Sequence, residues 1–326
     1  DTLLPKLNFL YISLILLTLI GTAILIIVTY RFQMKLRKLR NDYNFPGIKF
    51  LLNSIIISIL QVLCLKPFQK CLSKVSEYIL DKEKTKNEAD LQENKAKFIR
   101  NLYRFLYFFS VTLIGYLSLK DTNYYPKELL GHGEMKNIFK GYPDTFFLER
   151  SNLFEFHYTY SNAYSFSDLI FLFLEQKRSD FIIMLFHHTC TLSLTMFSYY
   201  AHTFTIGAVV LVLHNFADVI IYLVRIVLYL RVPIVVKDIV GLSTLFAFIY
   251  FRLFCLCKCI YSIYTYSNFK WDITHIILYA CLNFLVCAHV YWIYIVSCKV
   301  FDAIFNKKLS DTFQFRGKLN KETKKN

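Results

Sequence analysis

The chain has 326 residues, 56% of them hydrophobic and 18% aromatic, with a mean hydropathy of +0.40. An ordinary soluble domain carries more polar residues than this. The long apolar runs instead define an all-α, polytopic membrane protein. The net charge of +15 does not point to nucleic acid, because the basic residues lie mainly in short segments flanking apolar runs, the pattern that orients membrane proteins.

In chain order the apolar runs cover residues 7–30, 48–65, 98–119, 153–173, 181–200, 204–230, 236–264 and 274–305. A span needs about 20 residues at a rise of about 1.5 Å each. Seven runs meet that length. The run 48–65 is short, follows Pro46-Gly47 and ends before Lys66-Pro67. The first run is too long for the core of a signal peptide and lacks its cleavage pattern, so it reads as a true span.

Charge decides the expected role of 48–65. Arg31, Lys35, Arg37, Lys38 and Arg40 follow the first span, and the tail carries Lys307, Lys308, Arg316, Lys318, Lys321, Lys324 and Lys325. Both belong on the insertion side. They share a side if 48–65 is re-entrant or interfacial, and lie on opposite sides if it crosses. The expected layout is a transmembrane anchor with its basic flank (1–47), then a re-entrant or interfacial helix with a charged segment (48–97). A six-helix core (98–305) and a basic tail (306–326) follow. Segment 120–152, with five basic and five acidic residues, then falls outside.

The nine cysteines lie mostly within apolar runs. Cys255, Cys257 and Cys259 have a spacing that splays side chains around a helix, which is poor zinc geometry. They read as packing residues.

The run from Phe186 to Leu223 is almost wholly apolar, yet holds His187, His188, His214, Asn215 and Asp218. On helices 181–200 and 204–230, running antiparallel, His187 and Asp218 each lie roughly 10 Å from the inside face. His214 and Asp218 share a helix face at i, i+4, with Asn215 beside it. Ionisable groups at membrane depth usually face a cavity or each other. The simpler reading is a hydrogen-bonded staple between two helices. Three histidines with an aspartate and an asparagine at one depth favour a functional pocket. A histidine there suits acyl transfer as base or nucleophile. The same residues are a plausible zinc or iron set, but His187 and His188 are adjacent and point about 100° apart on a helix, so no metal is expected.

At these residues the chain resembles the TLC (TRAM-LAG1-CLN8) domain family, and within it the ceramide synthases. The matching positions are His187-His188, Thr191, Ser198-Tyr199, Ile206-Gly207, His214 and Asp218, preceded by Lys177-Arg178-Ser179-Asp180-Phe181. Lys97-Phe98, Tyr103-Arg104, Tyr107 and Gly141-Tyr142-Pro143 are also similar, so the likeness covers residues 97–305. Four positions depart from the pattern. Asn215 stands in place of an Asp, Thr205 of an Arg, Tyr222 of a Glu and Arg225 of a Lys.

The resemblance implies N-acylation of a sphingoid base by acyl-CoA, with no cofactor beyond that co-substrate, in the endoplasmic reticulum membrane. The alternative address is another organelle membrane, such as the mitochondrial inner membrane. It places the His pair and Asp218 in the catalytic centre. His187 or His188 is then base or transient acyl acceptor, oriented by His214 and Asp218. Lys177 and Arg178 at the inside face suit the CoA phosphates. Asn215 hydrogen-bonds but carries no negative charge to stabilise an imidazolium. The alternative function is therefore a catalytically impaired TLC protein that binds lipid or serves as a structural subunit of a membrane complex. A homodimer is the other partner expectation.

Overall fold

The computed structural model describes residues 20–21, 23–35, 37–38, 48–80, 88–139, 151–174, 180–230, 232–267 and 272–306. They are helical throughout, apart from short connections. The helices are α1 (23–35), α2 (Lys49–Ile79), α3 (Glu88–Leu119), α4 (Asn152–Leu174), α5 (Phe181–Tyr200) and α6 (Phe204–Val227). They continue with α7 (Ile234–Ala247), a π-helical stretch (Phe248–Cys255), α8 (Leu256–Tyr266) and α9 (Ile273–Asn306). Two 3₁₀ turns, Lys127–Leu129 and Met135–Phe139, follow α3.

Among the described residues, six helical stretches are long and apolar enough to cross a membrane: Lys49–Ser76, Leu91–Leu119, Phe181–Tyr200, Phe204–Val227, Val235–Tyr266 and Ile273–Cys298. Residues 48–65, expected as a short separate helix, are the first half of the 31-residue α2, which carries Pro67 inside it. The apolar run simply continues as a helix past the proline. The stretch α7–π–α8 is one 32-residue rod.

α4 is not among the six. Its composition explains this: His157, Ser161, Asn162, Ser165 and Ser167 are all buried. A helix this polar stays dry only if neighbours cover it, and α2, α3 and α5 all pack against it. Ser167 bridges to α2 by donating to Gln61 Oε1 at 2.7 Å. Tyr103 of α3 donates to the Gln61 carbonyl at 2.8 Å. Small and hydroxylated residues hold the three helices together where the hydrophobic effect between lipid-immersed helices is weak.

Six elements close a ring. α3 contacts α4, α4 contacts α5, α5 contacts α9, α9 contacts α7, α7 contacts α6, and α6 returns to α3. The α3–α6 seam is tight at Gly115, where a Cβ would lie 2.5 Å from His157 Nε2 and 2.6 Å from Val212 Cγ2. α2 lies outside the ring, against α3 and α4. α1 lies outside it against α5 and α9: Gln33 donates to the Tyr200 carbonyl at 3.0 Å, and Lys35 pairs with Asp272 at 2.5 Å.

Candidate active site

The ring encloses a cavity of about 140 Å³, lined by α3, α4, α5, α6, the π-helical stretch, α8 and α9. It runs along α5 from His187 to Ser198 and along α6 from Asp218 to Thr203, roughly 20 Å by helical rise. Asp168, Asp218, Arg252, His187, His188 and His214 gather at one end. The other end is lined by Ile206, Leu278 and Leu282 together with Ser198, Thr203, His275 and Tyr279. The cavity therefore has a charged end and, away from it, a wall of mixed aliphatic and uncharged polar groups.

All five cluster residues expected from the sequence line this cavity: His187, His188, His214, Asn215 and Asp218. Their partners differ from the simplest expectation. Asp218 takes its ion pair from Arg252, with Nη2 to Oδ1 at 2.5 Å, so it acts on the histidines only at one remove. Arg252 sits in the π-helical stretch and is 5% exposed. π-helical geometry is rare and recurs at functional sites.

A fourth ring histidine, His289 of α9, joins the cluster and is fully buried. Its Nδ1 lies 3.2 Å from the Arg252 carbonyl and its Nε2 lies 3.3 Å from Arg252 Nη1. A carbonyl only accepts, so the proton sits on Nδ1 and Nε2 accepts from the guanidinium. Arg252 thus bridges Asp218 and His289. His289 packs at 5.1 Å from the His214 ring and 5.9 Å from the His187 ring.

His214 has a defined tautomer by the same argument. Its Nδ1 donates to the Val210 carbonyl, one turn back, at 2.7 Å. Its Nε2 is buried with no hydrogen-bond partner among the described residues. That nitrogen is a bare lone pair on the cavity wall. His187 also has an unpartnered Nδ1 and stands edge-on to Trp292 at 4.9 Å. Thr191 donates to the His187 carbonyl at 2.9 Å. The Asn215 amide nitrogen is likewise buried without a partner among the described residues.

His188 faces the opposite wall. Its Nδ1 is 3.7 Å from Asp168 Oδ2 of α4, while Arg104 Nη2 of α3 is 3.6 Å from Oδ1 of the same carboxylate. Tyr107 stacks on Tyr164 at 3.6 Å beside them. Among the described residues no three His, Cys, Asp or Glu side chains converge in a metal-holding arrangement. Lys177 and Arg178, expected to meet the CoA phosphates, lie outside the described residues, as do Gly141-Tyr142-Pro143 and the basic tail.

The remaining motif residues have packing roles. Ser198 is hydrogen-bonded to Tyr158 of α4. A Cβ at Gly207 would fall 2.8 Å from Ser198 Oγ, so glycine lets α6 close over that bond. Arg252, His289 and Asp168 escaped the sequence reading, and Arg104 entered it only as a position similar to the family. Each is an ionisable residue inside the apolar part of a long helix, a signal that marks intramembrane sites.

Ring and cavity define the class: an all-α polytopic membrane protein with a histidine-lined intramembrane pocket. The TLC domain family (TRAM, LAG1, CLN8) matches residues 97–298, and the chain belongs to that family. Relatives at low identity include mouse ceramide synthase 5, 26% identical over 135 residues, which are 41% of this chain and 30% of the mouse protein. ASC1-like protein 3 of rice is 25% identical over 69% of this chain and 78% of its own. Alternaria stem canker resistance protein 1 of tomato is 26% identical over 81% of this chain and 83% of its own. The chain thus spans under a third of the mouse ceramide synthase.

Proposed function

We propose that this protein is a ceramide synthase-like N-acyltransferase, joining a fatty acyl group from acyl-CoA to a sphingoid base. One observation carries the reading: a chain of this family closes its helices around a long cavity, with both carboxylates and the clustered histidines at one end and aliphatic residues interspersed with uncharged polar ones along the rest. Long-chain substrates fit such a shape, since the tails remove apolar surface from water and the head groups meet the polar end.

In the proposed reaction the amine nitrogen attacks the thioester carbonyl. The N–C bond forms and the C–S bond breaks. A neutral imidazole takes the amine proton and returns it to the departing CoA thiolate, so no cofactor is consumed. His187 and His188 are the proposed base or transient acyl acceptor. His214 Nε2 faces the same space as a second acceptor of protons. Asp218 holds Arg252, whose positive charge suits the oxyanion that develops on the carbonyl. Lys177 and Arg178 are proposed to meet the CoA phosphates.

The proposed setting is the endoplasmic reticulum membrane, with the basic segments 31–40, 177–178 and 231–237 and the tail on one face. That arrangement needs α2 to be re-entrant or interfacial and not to cross the membrane. Terminal tags found on opposite faces in a protease-protection assay would show that α2 crosses.

The test is expression in a ceramide-synthase-deficient cell, with acyl-CoA-dependent N-acylation of a long-chain base as readout. Product above the vector control is expected. Folded protein with no product overturns the enzyme reading. It would favour the second one, a lipid-binding or structural subunit, which Asn215 and Tyr222 motivate.

A further inference from the structure

Among the described residues the cavity is lined by two carboxylates, Asp168 and Asp218. They are not equivalent. Asp218 is committed to Arg252, which approaches it at 2.5 Å and shields it from the histidines. Asp168 divides its two oxygens. Oδ1 is held by Arg104 and Oδ2 is turned to His188 Nδ1. The side chains of Arg104, Asp168 and His188 are 15%, 14% and 12% exposed, so the triad is largely screened from solvent. The Arg104 guanidinium is fixed in turn between two rings, 5.9 Å from the centre of Phe171 and 5.8 Å from that of Tyr222.

This is the geometry of a general base with its orienting carboxylate. A carboxylate facing Nδ1 selects the tautomer that carries the proton there and places the lone pair on Nε2. It also stabilises the imidazolium once the proton has moved. The 3.7 Å separation is longer than a hydrogen bond, and catalytic hydrogen bonds commonly tighten only when substrate is bound. Asn215 cannot perform this task, because its amide is neutral. The position where the sequence lacks a charge and the position where the fold supplies one are on different helices, α6 and α4.

We infer that Asp168 is the positioning residue for His188: it holds the imidazole in its base tautomer and balances the charge it acquires, the role left open by Asn215. The inference rests on the acyltransferase reading for its catalytic meaning, but its chemical content concerns His188 alone.

Two readouts separate the two claims. The first is kinetic. Asp168→Asn preserves shape and removes the charge. It should lower kcat by on the order of 10²-fold with KM little changed, and Asp168→Glu should recover much of the rate. The second needs no turnover. In detergent-purified full-length protein, diethyl pyrocarbonate modifies neutral imidazoles, and peptide mass spectrometry reads each histidine separately. On the alkaline plateau of the rate–pH profile, where protonation no longer limits the reaction, Asp168→Asn should slow His188 modification by about tenfold relative to His187 and His214, as expected when a nucleophilic imidazole loses its orienting carboxylate. A wild type that makes no ceramide but shows this His188-specific slowing would sink the acyltransferase reading and leave the pairing intact. Unchanged His188 modification in Asp168→Asn overturns the inference, whether or not the wild type is active. So does loss of folded protein in Asp168→Asn with normal His188 modification in the fraction that folds, since Asp168 would then only neutralise Arg104.

Discussion

Arg252 on the π-helical stretch and Asp218 on α6 form an ion pair at 2.5 Å inside the helix ring, and the same guanidinium meets His289 Nε2 at 3.3 Å. Neither charge is tolerable alone at this depth. Removing one partner of a buried pair costs about 3–5 kcal/mol, because the other is left uncompensated. Arg252→Met should therefore lower the thermal stability of the purified protein sharply, and adding Asp218→Asn should restore part of it. A single Arg252→Met variant as stable as the wild type would show that the pair is not structural.

The α3–α6 seam gives a packing prediction. Gly115→Ala places a methyl 2.5 Å from His157 Nε2 and 2.6 Å from Val212. Overpacking of this kind costs about 1–3 kcal/mol. The melting temperature should fall, and His157→Ala in the same chain should relieve part of the loss by opening space. A Gly115→Ala protein that melts with the wild type would mean the two helices separate without cost.

Asn215→Asp tests where the catalytic charge resides. With Asp168 already facing His188, a carboxylate at 215 should change kcat less than about threefold in the wild type. In the Asp168→Asn background it should raise the rate by a larger factor. Rate assays on the four combinations decide this. A large gain from Asn215→Asp alone would mean that the native site is impaired and that Asp168 does not replace the missing charge.

His214 Nε2 offers a lone pair without a partner among the described residues, while its Nδ1 is occupied by the Val210 carbonyl. His214→Gln removes the basic nitrogen and should reduce N-acylation by about 10²-fold if this nitrogen accepts a proton in the reaction. His187→Ala and His188→Ala should each do at least as much. Any of the three with wild-type rates loses its assigned role.

At the edge of the ring, Lys35 docks α1 on Asp272 at the start of α9. Burial raises the Asp272 carboxyl, but the hydrogen bond from Lys35 and the Thr274 backbone N–H outweigh it, so its pKa is lowered. A carboxyl lowered on folding contributes stability that is complete above its unfolded value of about 3.9 and is lost as pH falls through the lower folded value. Amide exchange of residues 23–35 should therefore accelerate as pH drops below about 4, relative to a Lys35→Met variant. The effect should be small, since Lys35 is 68% exposed and solvent screens such pairs. Equal acid sensitivity in both proteins would refute the docking role.

Much of the helical layout could be read directly. Runs 181–200 and 204–230 became α5 (Phe181–Tyr200) and α6 (Phe204–Val227) almost to the residue, because apolar length and flanking polarity set where a helix can sit in lipid. Run 48–65 was less legible: Lys66-Pro67 looked like a boundary, yet α2 continues to Ile79. Proline within a helix of this kind is tolerated where neighbouring helices re-satisfy the freed carbonyl. The span expected at 153–173 is a helix whose polar residues were hidden in a mostly aromatic run, and only its covered position in the ring accounts for them.

Within the site, the sequence by itself determined which residues of α5 and α6 are polar at one depth, since helical rise and antiparallel direction follow from residue numbers alone. Only the tertiary structure decided their partners. Arg252 and His289 come from elements further along the chain and Asp168 from the preceding helix, and no local periodicity says which side chains of neighbouring helices meet. Ring closure does, because in lipid every buried charge must find its opposite inside the bundle. That constraint sends Asp218 to Arg252 and leaves Asp168 facing His188.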